Sequence, residues 1–124
     1  MAAPGWSTSA AWVDLDNDGY LDLVVLRYVQ WDWNDVWCGE RRPGYRAYCH
    51  PDLFRPLSML VYHNNGNGTF TEDAHQLGLD KPGKGLGIAI ADYDRDGHID
   101  LFVANDSMVW RDDEGHCQPA FNST

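Results

Sequence analysis

Eight carboxylates fall in two nine-residue runs of identical spacing: Asp14, Asp16, Asp18 and Asp22, then Asp92, Asp94, Asp96 and Asp100. Both runs read Asp-x-Asp-x-Asp-Gly-x-x-Asp, with Gly19 and Gly97 at the sixth place. Carboxylates at positions one, three and five converge on one point when the backbone curls tightly, and glycine supplies the backbone angles for that curl. The carbonyl of position seven, Tyr20 or His98, and the carboxylate of position nine, Asp22 or Asp100, complete a set of about five to seven hard oxygens, the ligand set calcium prefers. Magnesium demands a stricter octahedron and keeps its waters, so it fits less well. An EF-hand opens the same way but needs a bidentate Glu at position twelve and flanking helices. Here position twelve is Val25 or Val103, and that reading is excluded.

Charge repulsion supports the metal. Two unit charges about 4 Å apart repel by about 1 kcal/mol in water and about 4 kcal/mol at an effective dielectric near 20. A small domain has only about 5–15 kcal/mol of stability, so four crowded carboxylates make a heavy load that a divalent cation reverses in sign. The plainer reading is a solvated turn, where Asp and Gly are common. Two copies in register weigh against it.

The rest of the charge is unremarkable. The chain of 124 residues carries 19 acidic and 9 basic side chains, a net −10. Outside the two loops the balance is 11 acidic against 9 basic, so the acidity is local and suggests a cation. An acidic chain lacks the basic surface that nucleic acid requires. No apolar run approaches the roughly 20 residues of a membrane span. Residues 1–7 hold neither a basic n-region nor an apolar h-region, which excludes a signal peptide there; the expectation is either a cytoplasmic protein or a chain whose exporting segment is missing.

The elements that position the loops come from an internal repeat. Residues 10–26 align without gaps on residues 88–104, at an offset of 78, and such a repeat is usually one supersecondary unit. Each unit reads as strand, acidic turn, strand. The first strands are expected over 9–13 and 87–91. The second, over 21–28 and 99–104, are near-continuous apolar runs that suit strands covered on both faces. Met59–Tyr62, a turn at His63–Gly68 rich in Asn-Gly, and Thr69–Thr71 predict a further hairpin. The first unit then has four antiparallel strands, the number in a propeller blade. The expected class is all-β, a β-propeller fragment of about two four-stranded blades.

Residues 29–56 differ in character, carrying Trp31, Trp33, Trp37, Tyr45 and Tyr48 without a clean period. They read as an insertion between the second and third strands of the first unit. Cys38 and Cys49 lie close enough to pair, with Cys117 alone; free thiols remain the alternative to a bridge, which would imply an oxidising compartment.

At the acidic loops the sequence resembles the FG-GAP/VCBS repeats of integrin-α-like β-propellers. The string Leu60-Val-Tyr-His-Asn-Asn-Gly-Asn-Gly-Thr-Phe70, the stretch Val103-Ala-Asn-Asp-Ser107 and Cys49-His-Pro51 are similar, more narrowly, to bacterial relatives of the cartilage acidic protein family. The resemblance covers about residues 6–107. It implies a secreted or cell-surface propeller of seven or so blades with structural calcium, held by Asp14, Asp16, Asp18, the Tyr20 carbonyl and Asp22, and by Asp92, Asp94, Asp96, the His98 carbonyl and Asp100. Repeat one is expected over 6–28 and 57–80, and repeat two over 84–107. The tail, 108–124, departs from the pattern because it lacks the Asn-Asn-Gly hairpin, so the second blade is expected to be incomplete. Two blades cannot close a ring and would leave sheet edges open, so the remaining blades are expected to be missing from this chain.

Other features carry less. The Trp-rich insertion is either a sugar-stacking platform or packing for its own sheet. His50, His63, His75, His98 and His116 show no metal-ligand spacing, and His116-Cys117 is poor geometry for one zinc. The sequons at Asn67, Asn105 and Asn122 fall mainly in repeat turns. No Gly-x-Ser-x-Gly, phosphate loop or HExxH motif occurs. Two functions are left: a non-enzymatic extracellular module that recognises a protein or glycan, and a carbohydrate-binding or catalytic part of a polysaccharide-active enzyme such as a lyase.

Overall fold

The first repeat folds as expected because its apolar strands flank tight turns that reverse the chain. In the computed structural model, residues 5–34, 36–106, 109–111 and 117–119 are described, the last two segments for backbone only. Strands β1 (Ser7–Val13) and β2 (Asp22–Arg27) pair antiparallel across the first acidic loop, Val13 opposite Asp22. Two short strands, β3 (Cys38–Gly39) and β4 (Arg46–Ala47), and a single 3-10 turn at Pro51–Leu53 follow. Next come β5 (Leu57–Ser58), β6 (Leu60–Asn64) and β7 (Phe70–Glu72). The main sheet has the order β1-β2-β6-β7, one four-stranded antiparallel blade.

The β6–β7 turn occupies residues 65–69, one residue shorter than the expected His63–Gly68 turn. Strand β6 runs on to Asn64, which pairs with Phe70, and Gly66 and Gly68 both take positive φ, at 73° and 85°. Within this turn the Asn67 carboxamide oxygen accepts from the Thr69 amide at 3.1 Å, so the first sequon serves a local turn. Ser107 and the Asn122 sequon lie outside the described residues.

Among the described residues the second repeat forms a two-stranded sheet rather than a four-stranded one. After β8 (Pro82–Gly83), which pairs with β5, come β9 (Gly85–Ala91) and β10 (Asp100–Asn105), a two-stranded sheet around the second acidic loop. Strands β11 (Val109–Arg111) and β12 (Cys117–Pro119) form their own ladder. The expectation that both long apolar strands are covered on two faces holds for β2 and not for β10. Strand β2 lies between β1 and β6 and is almost wholly buried, whereas β10 alternates between exposed and half-buried, with Phe102 71% exposed. The face of β10 that carries Asp100, Phe102 and Ala104 is exposed, because among the described residues no second sheet covers it.

Burial ties the two repeats together. Val13, Val24, Val61 and Ala74 form a core against which Ile88 and Leu101 of the second repeat pack. Apolar area removed from water at this shared face favours the folded arrangement by about 25 cal/mol per Å². Polar bridges cross the same seam: the Thr8 hydroxyl donates to the Gly85 carbonyl at 2.7 Å, and the Tyr28 hydroxyl donates to Asp106 at 2.5 Å. Burial, then the hydrogen bond to Asp106 and its charge, push the Tyr28 phenol up to about 12. A phenol raised in the folded state stabilises it fully below the unfolded value near 10 and loses that contribution as pH rises from about 10 to about 12. Tyr28→Phe is therefore expected to cost about 1–2 kcal/mol at pH 8 and to flatten the alkaline loss of stability, read from urea melts between pH 8 and 11.

Candidate metal centre

Each acidic loop is a short reversal whose own amides organise the carboxylates. In the first loop both oxygens of Asp14 accept backbone N–H groups, from Asp18 at 3.1 Å and Gly19 at 3.0 Å. Asp16 accepts from Asp18 at 3.3 Å, and Asp18 accepts from Tyr20 at 2.8 Å. The second loop repeats this bond for bond. Asp92 accepts from Asp96 and Gly97 at 3.0 Å each, Asp94 from Asp96 at 3.2 Å, and Asp96 from His98 at 2.8 Å. The ninth-position carboxylates also match, Asp22 accepting from Leu15 at 3.1 Å and Asp100 from Tyr93 at 2.8 Å.

The backbone explains why the bonds repeat. Gly19 and Gly97 both have φ of 88°, the left-handed conformation that glycine adopts freely. The fourth position is also left-handed, at 59° for Asn17 and 61° for Arg95. Asn tolerates that region, whereas a long side chain such as Arg costs on the order of 1 kcal/mol there. That second reversal has no glycine to announce it in the sequence.

The structure brings together ligand atoms of Asp14, Asp16 and Asp18 within 4.8 Å of one another, and likewise those of Asp92, Asp94 and Asp96. Such a set of clustered, mostly exposed carboxylate oxygens fits a hard cation with several oxygen ligands, as calcium is. Tyr20 and His98 hold equivalent seventh places, each with its amide on the third carboxylate of its loop. Asp22 and Asp100 diverge. Asp22 is 1% exposed and sits against β6, where its second oxygen accepts the Asn64 amide at 2.8 Å. Asp100 is exposed, because no equivalent of β6 flanks β10 among the described residues.

Two contacts were not visible in the sequence. His63, set aside for lack of ligand spacing, places Nδ1 3.2 Å from Asp22 and 3.6 Å from Asp16. Only the β2–β6 register brings it there: Leu23 faces Tyr62, so the next step sets Asp22 beside His63. The two loops also touch. The Asn17 carboxamide donates to the Gly97 carbonyl at 3.2 Å and lies 3.0 Å from the His98 ring nitrogen, so the geometry of one loop bears directly on the other.

The stretch between β2 and β5 carries a covalent cross-link. Cys38 and Cys49 are joined by a disulfide, with Cα atoms 5.3 Å apart. Trp6, Tyr28, Trp31, Tyr48 and Phe54, with Arg46, line a cavity of about 890 Å³. Trp31 meets Trp33 edge-on at 5.0 Å and Trp6 at 6.4 Å. His116 lies outside the described residues, and Cys117 is described for backbone only. Among the described residues no helix is long and apolar enough to cross a membrane.

The sequence is related to those of known proteins. The FG-GAP-like repeat family matches residues 33–103, more than half of the chain. Cartilage acidic protein 1 of Mus musculus is 46% identical over 47 residues, and that of Homo sapiens 44% over 47. The Xenopus tropicalis protein of the same name is 39% identical over 47 residues. Each match covers 37% of this chain and 7% of the relative, so the chain spans a small part of the curated relatives it matches. No solved structure matches it significantly.

Proposed function

The chain belongs to the FG-GAP-like repeat family, and from that premise we propose that it is a calcium-binding β-propeller module of extracellular type, serving adhesion or recognition rather than catalysis. The observation that carries this reading is the carboxylate cradle, formed with the same hydrogen bonds in both loops. A cation there neutralises the crowded charge and locks a loop that joins two strands, so its role is structural. Asp14, Asp16, Asp18, Asp22 and the Tyr20 carbonyl hold one ion, and Asp92, Asp94, Asp96, Asp100 and the His98 carbonyl the other. The repeat boundaries at 6–28 with 57–80 and at 84–107, around an insertion at 29–56, belong to the same proposal. The name of the curated relatives refers to cartilage, and the Cys38–Cys49 bridge suits an oxidising compartment; both support an extracellular location. The partner is a protein or a glycan.

Equilibrium dialysis against labelled calcium tests the reading. Two ions per chain are expected, and none for the Asp16→Ala, Asp94→Ala double variant. Wild-type protein that retains no calcium would contradict it. The aromatic cavity favours a second reading, a polysaccharide-handling surface, because Trp and Tyr faces stack on sugar rings. Glycan-array binding or the release of unsaturated sugars, abolished by Trp31→Ala with Trp33→Ala, would move the account there.

A further inference from the structure

Although the two acidic loops repeat each other, their surroundings differ in one respect that changes the chemistry. Strand β6 runs beside the first loop and contributes an imidazole, whereas the second loop has no such neighbour among the described residues. His63 Nδ1 lies 3.2 Å from Asp22 Oδ1 and 3.6 Å from Asp16 Oδ2, and ligand atoms of the three side chains lie within 4.8 Å of one another. We propose that Asp16, Asp22 and His63 form a mixed nitrogen–oxygen site for a first-row transition dication, so that the first loop accepts such a metal and the second, all-oxygen loop does not. This rests on the reading of both loops as cation sites and assigns a distinct selectivity to the first.

Three observations carry the inference. First, the donor spacing fits. Metal–nitrogen and metal–oxygen bonds of about 2.0–2.2 Å set ligand atoms about 3.3–3.6 Å apart along a tetrahedral edge, and the two nitrogen–carboxylate distances, 3.2 and 3.6 Å, lie at the ends of that range. Second, the donor set is selective. Imidazole suits zinc, cobalt and their neighbours, whereas calcium takes oxygen ligands. Third, Asp22 is buried, its side chain 2% exposed, and its carboxylate accepts two backbone amides. A buried carboxylate calls for positive charge close by, and a cation held between Asp22 and His63 supplies that charge. Asp100, its counterpart in the second repeat, is exposed and makes no such demand.

The test uses cobalt(II) as the probe, followed by its visible absorption and by calorimetry on metal-stripped protein, with calcium titrated separately. Wild-type protein is expected to bind one cobalt ion tightly. His63→Ala is expected to weaken that binding by roughly 100-fold or more, since it removes a ligand and loss of an outer-shell partner alone costs about 10–100-fold, while the calcium site of the second loop is unchanged. His63→Gln keeps a polar side chain on β6 and guards against loss of fold; it should behave as His63→Ala does toward cobalt. Asp94→Ala with Asp96→Ala should leave the tight cobalt site in place. Equal cobalt affinity in wild type and both His63 variants would overturn the inference while leaving the calcium reading intact. Protein that binds neither calcium nor cobalt would overturn both.

Discussion

Calcium added to chelator-treated protein is expected to raise its melting temperature by roughly 15–25 °C. At about 100 times the dissociation constant each occupied loop adds about 2.7 kcal/mol, so two loops add about 5 kcal/mol. For a domain of this size each kcal/mol moves the midpoint by about 3–5 °C. Both loops join strands that frame the shared core, so locking them stabilises the cooperative unit rather than a frayed end. Asp16→Ala with Asp94→Ala should abolish the shift while leaving the melting point of the chelated protein little changed, because removing one carboxylate from a crowded cluster relieves repulsion. The contact of Asn17 with Gly97 and His98 means that ordering one loop aids the other, so the single variants should each lose more than half of the shift. Differential scanning calorimetry with and without calcium reads all of this directly.

Lys84→Ala is expected to cost about 1–3 kcal/mol, because the Pro51 carbonyl loses its charged donor, while Asp52, its side chain 22% exposed, stays within reach of water. Lys84 is fully buried, and its ammonium donates to the Pro51 carbonyl at 2.7 Å and lies 3.7 Å from Asp52. Burial holds its pKa below the ordinary lysine value, an effect that the charges of Asp52 and Asp106 partly offset. Asp106 in turn accepts the Tyr28 hydroxyl, and its amide donates to the Lys84 carbonyl at 2.8 Å. One lysine thus links the 3-10 turn after the disulfide hairpin, the end of β2 and the second repeat. Urea denaturation measures the loss; a change below about 1 kcal/mol would show that Lys84 acts as an ordinary surface lysine does.

The acidic loops were legible because their information is local. Alternating Asp, one Gly and flanking apolar strands fix the reversal within nine residues, and the hydrogen bonds from loop amides to Asp14 and Asp92 need nothing from elsewhere. The β1-β2-β6-β7 blade was legible for a similar reason, since the repeat and the Asn-Gly turn mark its reversals. Contacts made by register or by long-range packing were not. His63 meets Asp22 only because β6 lies beside β2. Lys84 sits between two glycines in a segment that reads as loop, and no local pattern marks it as buried. The exposure of β10 was hidden too: its apolar sequence suits a covered strand, but exposure depends on which sheets lie alongside. The left-handed Arg95 carries no signal in its residue type, because the shape of the loop imposes the conformation.

Crystals grown in calcium, with diffraction collected where calcium scatters anomalously, test the central claim most directly. The account requires one anomalous peak among Asp14, Asp16 and Asp18 and another among Asp92, Asp94 and Asp96. Well-ordered loops with no peak at either place would contradict it.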